Sequence, residues 1–168
     1  ATRTITVVAP STTECRAPSD IILAIDRSGS MNDDGVNPDQ PMTFAKDAAK
    51  NFIDSLSATD DRVGVVSFST LARLDVSLTN DFPQAKSAIT GLIAEGWTNI
   101  AEALLFSSND LTANGRTDAR QIIILLSDGR PEPDTNTGTV AAIQNANSAK
   151  AKGYIIYTIG LGSGVSTP

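Results

Sequence analysis

Five oxygen-bearing side chains stand out by type and spacing: Asp26, Ser28 and Ser30 in "DRSGS", Thr98 in "GWTN", and Asp128 in "SDG". Asp26 follows Ile21, Ile22, Leu23 and Ile25, so a buried strand runs straight into a carboxylate, with two hydroxyls after it at two-residue spacing. Taken alone, Asp26 could simply end a strand as a polar cap. Two carboxylates and three hydroxyls together make a set of hard oxygen donors. A divalent cation such as Mg²⁺ takes about six oxygens and keeps some of them as water. Two carboxylates balance its charge. Neutral hydroxyls leave it electrophilic, and an open position can take an incoming carboxylate.

The composition narrows the alternatives. The chain has 168 residues, with 40% apolar and 19% charged, which suits one soluble globular domain with a sizeable core. Its net charge of −6 disfavours nucleic acid and anionic lipid and favours cations. No apolar run approaches the roughly 20 residues of a membrane-spanning helix. Histidine is absent, which removes the usual general base and the usual zinc ligand. The single cysteine, Cys15, excludes an internal disulfide; it reads as paired outside this sequence or as a buried thiol.

The elements that must position these donors follow from periodicity. Residues 2–8 alternate like a strand, and 9–19, rich in Pro, Ser and Thr, read as a linker. Apolar runs predict buried strands at 20–26, 62–69, 120–127 and 154–161, and strict alternation predicts a half-exposed antiparallel edge strand at 71–78. Helical spacing predicts helices at 43–56, 82–94, 99–112 and 138–152, the last ended by Gly153 in a left-handed cap. Strands alternating with helices predict an α/β, doubly wound, mainly parallel sheet with one antiparallel edge strand and helices on both faces. Residues 1–19 are expected to form an N-terminal strand and linker, and 20–168 the main domain. Ligands in such sheets bind beyond the carboxyl ends of the strands, where Asp26 and Asp128 fall. A covering helix is expected after the last strand, so the chain reads as truncated at its C-terminus, or as completed by another chain.

With these pieces in order, the sequence resembles the von Willebrand factor type A domain family over residues 20–162. Its metal-ion-dependent adhesion site has the pattern Asp-x-Ser-x-Ser, a distant Thr, and a distant Asp before Gly; here these are "DRSGS", "WTN" and "SDG". The resemblance implies that Ser28 and Ser30 coordinate a metal directly, Thr98 in the ligand-ready state, and Asp26 and Asp128 directly or through water. It implies Mg²⁺, Mn²⁺ or Ca²⁺ as cofactor and an acidic side chain of a protein partner as ligand. The "DRSGSM" form is common in bacterial and archaeal surface proteins of this family, including pilus-tip adhesins, which implies an extracellular or cell-surface adhesion module. The family usually has Gly where this chain has Trp97. It also ends with a further strand and a helix that are missing here.

Trp97 is a candidate partner contact, as exposed aromatics anchor interfaces, or it packs against neighbouring loops. Arg27 and Arg130 flank the ligands and could steer an acidic partner. Asp33, Asp34 and Asp39 lie in an acidic loop that is either solvated or binds a second cation. The alternative to surface adhesion is an intracellular assembly module beside an AAA-type ATPase, as similar domains are in magnesium chelatase. An enzyme is disfavoured: no Walker A sequence, no GxSxG elbow and no histidine occur, and Ser28 stands where haloacid dehalogenase-type hydrolases need a second Asp.

Overall fold

The central strand is apolar on both faces because it has neighbours on every side. In the computed structural model, which describes residues 16–32, 40–129 and 136–161, strand β1 (Ser19–Asp26) is buried along its whole length. It pairs in parallel with β2 (Arg62–Phe68) on one side and with β4 (Arg120–Ser127) on the other. Strand β3 (Ala72–Thr79) pairs antiparallel with β2, and β5 (Ile155–Gly160) pairs parallel with β4. The five-stranded sheet therefore has the order β3-β2-β1-β4-β5.

Alternate side chains feed two cores. Ile21, Leu23 and Ile25 pack with Val63, Val65 and Leu126 under helices α1 (Gln40–Asp54) and α2 (Phe82–Thr90). Ile22 and Ala24 pack with Phe68, Ile123 and Leu125 under α3 (Ile100–Asn114) and α4 (Asn136–Ala151). Each fully buried Ile or Leu contributes about 1.5–3 kcal/mol relative to exposure. Since α1 links β1 to β2 across one face and α3 leads into β4 across the other, the winding reverses between β1 and β4. Crevices at such reversals hold ligands beyond the strands' carboxyl ends.

The sheet agrees with the α/β, doubly wound arrangement expected from the sequence, including the antiparallel edge strand at β3. Three details differ. Helix α2 stops at Thr90, before Gly91, instead of running to 94, which frees 91–99 as a loop: Leu92 stays buried and Ile93 turns to solvent. A short 3₁₀ turn, Gly29–Asn32, follows β1. The last strand is not buried: β5 is a sheet edge on which Ile155, Tyr157 and Ile159 are exposed. Gly153 does adopt the left-handed conformation, at φ +88°. The strand expected at 2–8 lies outside the described residues.

The opposite end of β1 is closed by a buried charge cluster. Asp20 accepts hydrogen bonds from Arg62 Nε and Nη2 at 2.9 and 2.7 Å, from Arg116 Nε at 3.0 Å and from the Arg116 backbone N–H at 2.6 Å. Burial acts to raise the Asp20 pKa, but the two guanidiniums and the backbone N–H more than reverse this, and the carboxyl is held below its ordinary value. A depressed folded-state pKa adds stability that is present above the unfolded value of about 4 and is lost as pH falls through the folded value. Asp20→Asn should therefore cost about 2 kcal/mol at pH 7, because two partly exposed guanidiniums lose their acceptor. In thermal melts across acidic pH, the gap between variant and parent should narrow below about pH 4.

Candidate metal centre

The site is assembled by backbone bonds among three segments. Where β1 ends, the Arg27 N–H donates to the Phe68 carbonyl at 2.8 Å, tying it to the end of β2. The Arg27 carbonyl accepts from Glu95 N–H at 2.7 Å, and Gly29 N–H donates to the Gly96 carbonyl at 2.9 Å. These bonds join the "DRSGS" segment to the loop carrying Thr98. That loop is tied in turn to the β2–β3 turn: Trp97 N–H donates to Thr70 Oγ1 at 3.0 Å, and Asn99 N–H to the Ser69 carbonyl at 2.8 Å. Gly96 has φ +77°, and a Cβ there would lie 2.6 Å from Thr70 Oγ1, so this position requires glycine on both counts.

Helix α3 begins beside the site. Asn99 caps it, its side chain accepting from Glu102 N–H at 3.1 Å, and Thr98 is the residue just before the cap. A helix N-terminus favours negative charge within its first turn. Thr98 is largely buried.

Asp26 is fully buried and accepts two neutral donors: the Ser28 N–H on Oδ1 at 2.8 Å and the Ser127 hydroxyl on Oδ2 at 2.6 Å. The hydroxyls of Ser28 and Ser30 lie 3.1 Å apart. Asp128, buried at the end of β4, is close enough for its charge to act on Asp26. Gly129, at φ +74°, follows it and donates its N–H to Ser127 Oγ at 3.1 Å. Burial pushes the Asp26 carboxyl above its ordinary pKa, and Asp128 adds to the rise against the hydrogen bonds from Ser127 and Ser28.

Among the described residues, no group of three or more His, Cys, Asp or Glu could hold a metal, and no cation pairs with Asp26. The donors gathered here are instead two carboxylates with hydroxyls, the chemistry of a hard cation site. Two neighbouring buried carboxylates, one of them met only by neutral donors among the described residues, fit a divalent cation in charge as well as in ligand type.

The structure thus brings Asp26, Ser28, Ser30 and Asp128 to one end of the sheet and holds Thr98 in a loop bonded to them through Gly29 and Arg27. Trp97 is about half exposed, at 52%. Arg27 is different: only 15% of its side chain is exposed, and Nη1 donates to Glu95 Oε1 at 3.2 Å, so its charge is directed to the 91–99 loop. Asp33, Asp34, Asp39, Arg130 and Cys15 lie outside the described residues. Sequence reasoning did not single out Ser127, which holds Asp26 Oδ2; its only signal was its place beside Asp128. It also passed over Ser69 and Thr70, which read as an ordinary turn.

The von Willebrand factor type A domain family matches residues 20–168. The chain belongs to this family. This type A domain is similar to mouse vitrin, 29% identical over 88% of the chain and 21% of vitrin. It is also similar to a solved von Willebrand factor type A protein from Catenulispora acidiphila, at TM-score 0.71 and 26% identity over 86% of this chain and 33% of that one. Manganese-loaded TRAP protein from Plasmodium vivax shares the fold, at TM-score 0.68 and 24% identity over 89% of this chain and 59% of that one. The chain spans about a fifth or less of the length of the curated relatives it matches, 15–21%.

Asp26→Asn tests the electrostatics of the type A domain without a metal. The amide keeps the shape and one acceptor for Ser28 N–H but removes a buried charge beside Asp128. In EDTA at pH 7, the variant should melt at the same temperature as the parent or up to several degrees higher. A drop of several degrees would show that the Asp26 charge is already compensated within the chain.

Proposed function

We propose that this type A domain is a divalent-cation-dependent adhesion or protein-binding module, exposed on a cell surface or outside the cell, and that it is not an enzyme. The observation that carries the reading is the pair of buried carboxylates, Asp26 and Asp128, gathered with the Ser28 and Ser30 hydroxyls at the winding reversal of the sheet. Its homologues are adhesion and protein-binding modules of extracellular matrix proteins, which supports the placement. The manganese carried by the TRAP structure supports a divalent ion. No helix among the described residues is long and apolar enough to cross a membrane.

In this reading Asp26 and Asp128 balance the ion's charge, and Ser28, Ser30 and Thr98 supply neutral oxygens. The cofactor is Mg²⁺, Mn²⁺ or Ca²⁺. When bound, such an ion supplies an electrophilic centre that accepts a carboxylate oxygen from an Asp or Glu of the partner. Ser127 holds the Asp26 carboxylate in place. Arg27, through Glu95, holds the loop that presents Thr98. Trp97 and Arg130 contact the partner around the ion. A second cation at Asp33, Asp34 and Asp39 remains an extension of this proposal.

The test is a set of thermal melts in EDTA, Mg²⁺, Mn²⁺ and Ca²⁺. An ion at 100 times its dissociation constant should stabilise the domain by about 2.7 kcal/mol. The ion giving the largest rise at matched concentration is the leading cofactor. Ser28→Ala with Ser30→Ala should remove the rise while the EDTA melt stays cooperative. A double variant that keeps the parent's response would refute the ligand assignment.

A further inference from the structure

The β2–β3 turn joins the recognition surface. Leu71, in that turn, is 66% exposed, and Trp97, one residue before Thr98, is 52% exposed. A lone exposed apolar residue needs no explanation. These two are joined by backbone: Trp97 N–H donates to the side chain of Thr70, the residue before Leu71, and Asn99 N–H donates to the Ser69 carbonyl. Asn99 Nδ2 adds a bond to the Thr70 carbonyl at 3.4 Å, and Glu102 of α3 accepts from Ala72 N–H at 2.7 Å. The turn is thus pinned on both sides of Thr70, and its close approach at Gly96 leaves no room for a side chain. Two large apolar groups are held out to solvent on backbone that has little freedom left to lose. Preorganised apolar groups of this kind convert more of their burial into affinity, because the ordering cost has already been met.

We propose that Leu71 and Trp97 form a preorganised apolar shelf beside the metal centre that selects a partner loop carrying a bulky apolar residue next to its Asp or Glu. This rests on the metal-bridging reading above and names the partner's chemistry more closely. The charge pattern favours such a ligand. The carboxylate of the partner is matched by the cation between Asp26 and Asp128, whereas the shelf offers no charge and rewards only apolar surface. Thr70 is a positioning residue: it acts through the Trp97 N–H.

Two acetylated, amidated tetrapeptides test this by calorimetric titration in saturating Mg²⁺. Both carry one aspartate; one has phenylalanine beside it and the other glycine. The phenylalanine peptide should bind about tenfold more tightly, which corresponds to about 1.4 kcal/mol. Leu71→Ser and Trp97→Ser should each cut this preference to about threefold or less and leave the glycine peptide's affinity unchanged. Trp97→Phe should restore most of it, which a merely misfolded loop would not allow. Ile155→Ser, an exposed apolar site at the start of β5, is the control and should change nothing. Equal affinity for the two peptides, or a preference that survives the Leu71 and Trp97 double variant, would overturn the shelf alone. Phenylalanine-peptide binding that persists in EDTA and still requires Trp97 would support the shelf and overturn the metal bridge. If neither peptide binds in Mg²⁺, both proposals fail.

Discussion

Burying both ends of the central strand confronts this fold with one problem twice: an acidic group out of water. Asp20 and Asp26 sit at the two ends of β1, on the same side of the pleat as Ile22 and Ala24, and both are fully buried. Burial alone pushes either carboxyl upward. At Asp20 the fold answers with two guanidiniums and a backbone N–H, and the pKa falls below its ordinary value. At Asp26 it answers with a hydroxyl and a backbone N–H, places Asp128 close by, and the pKa rises. The first end is a finished ion cluster. The second holds negative charge that the described residues do not balance, which is the state a cation site needs before the cation arrives.

The remaining architecture serves that asymmetry. Arg62 reaches Asp20 from the start of β2 and Arg116 from the loop after α3, so the compensated end also fastens three elements together. At the Asp26 end no side chain performs this task. The segments are fastened through backbone instead, by the bonds of Arg27, Gly29, Trp97 and Asn99. Backbone fastening leaves the carboxylates and hydroxyls unspent on holding loops. The exception is Ser127, whose hydroxyl orients Asp26 and also accepts from Gly129.

Much of this was legible in the sequence, for identifiable reasons. The apolar runs of β1, β2 and β4 and the strict alternation of β3 report burial directly, so strand number and the antiparallel edge followed from them. The donors were legible because their types and spacing are unusual for a strand end. β5 was misread because "IIYTIG" has the same apolar composition whether a helix covers it or not; periodicity cannot distinguish a covered face from an open one. The end of α2 was misread because Leu92 and Ile93 continue an apolar pattern, yet Gly91 stops the helix and only Leu92 stays inside. The stitching at Ser69, Thr70 and Gly96 was invisible because it consists of long-range backbone bonds, which leave little trace in residue type beyond one glycine.

The division between strand and loop bears on how such a site can change. Asp26 and Asp128 are fixed by sheet register and by burial, and moving either would disturb two cores at once. Leu71 and Trp97 are exposed, so their side chains can vary while Thr70, Gly96 and Asn99 keep the loop in place. Trp97 stands directly before Thr98, so a substitution there alters the surface a partner meets and leaves the Asp26 and Asp128 carboxylates where the sheet puts them. Charge balance is thereby assigned to the strand ends, where error is costly, and partner choice to the pinned loops, where side chains can be exchanged at little cost to the fold.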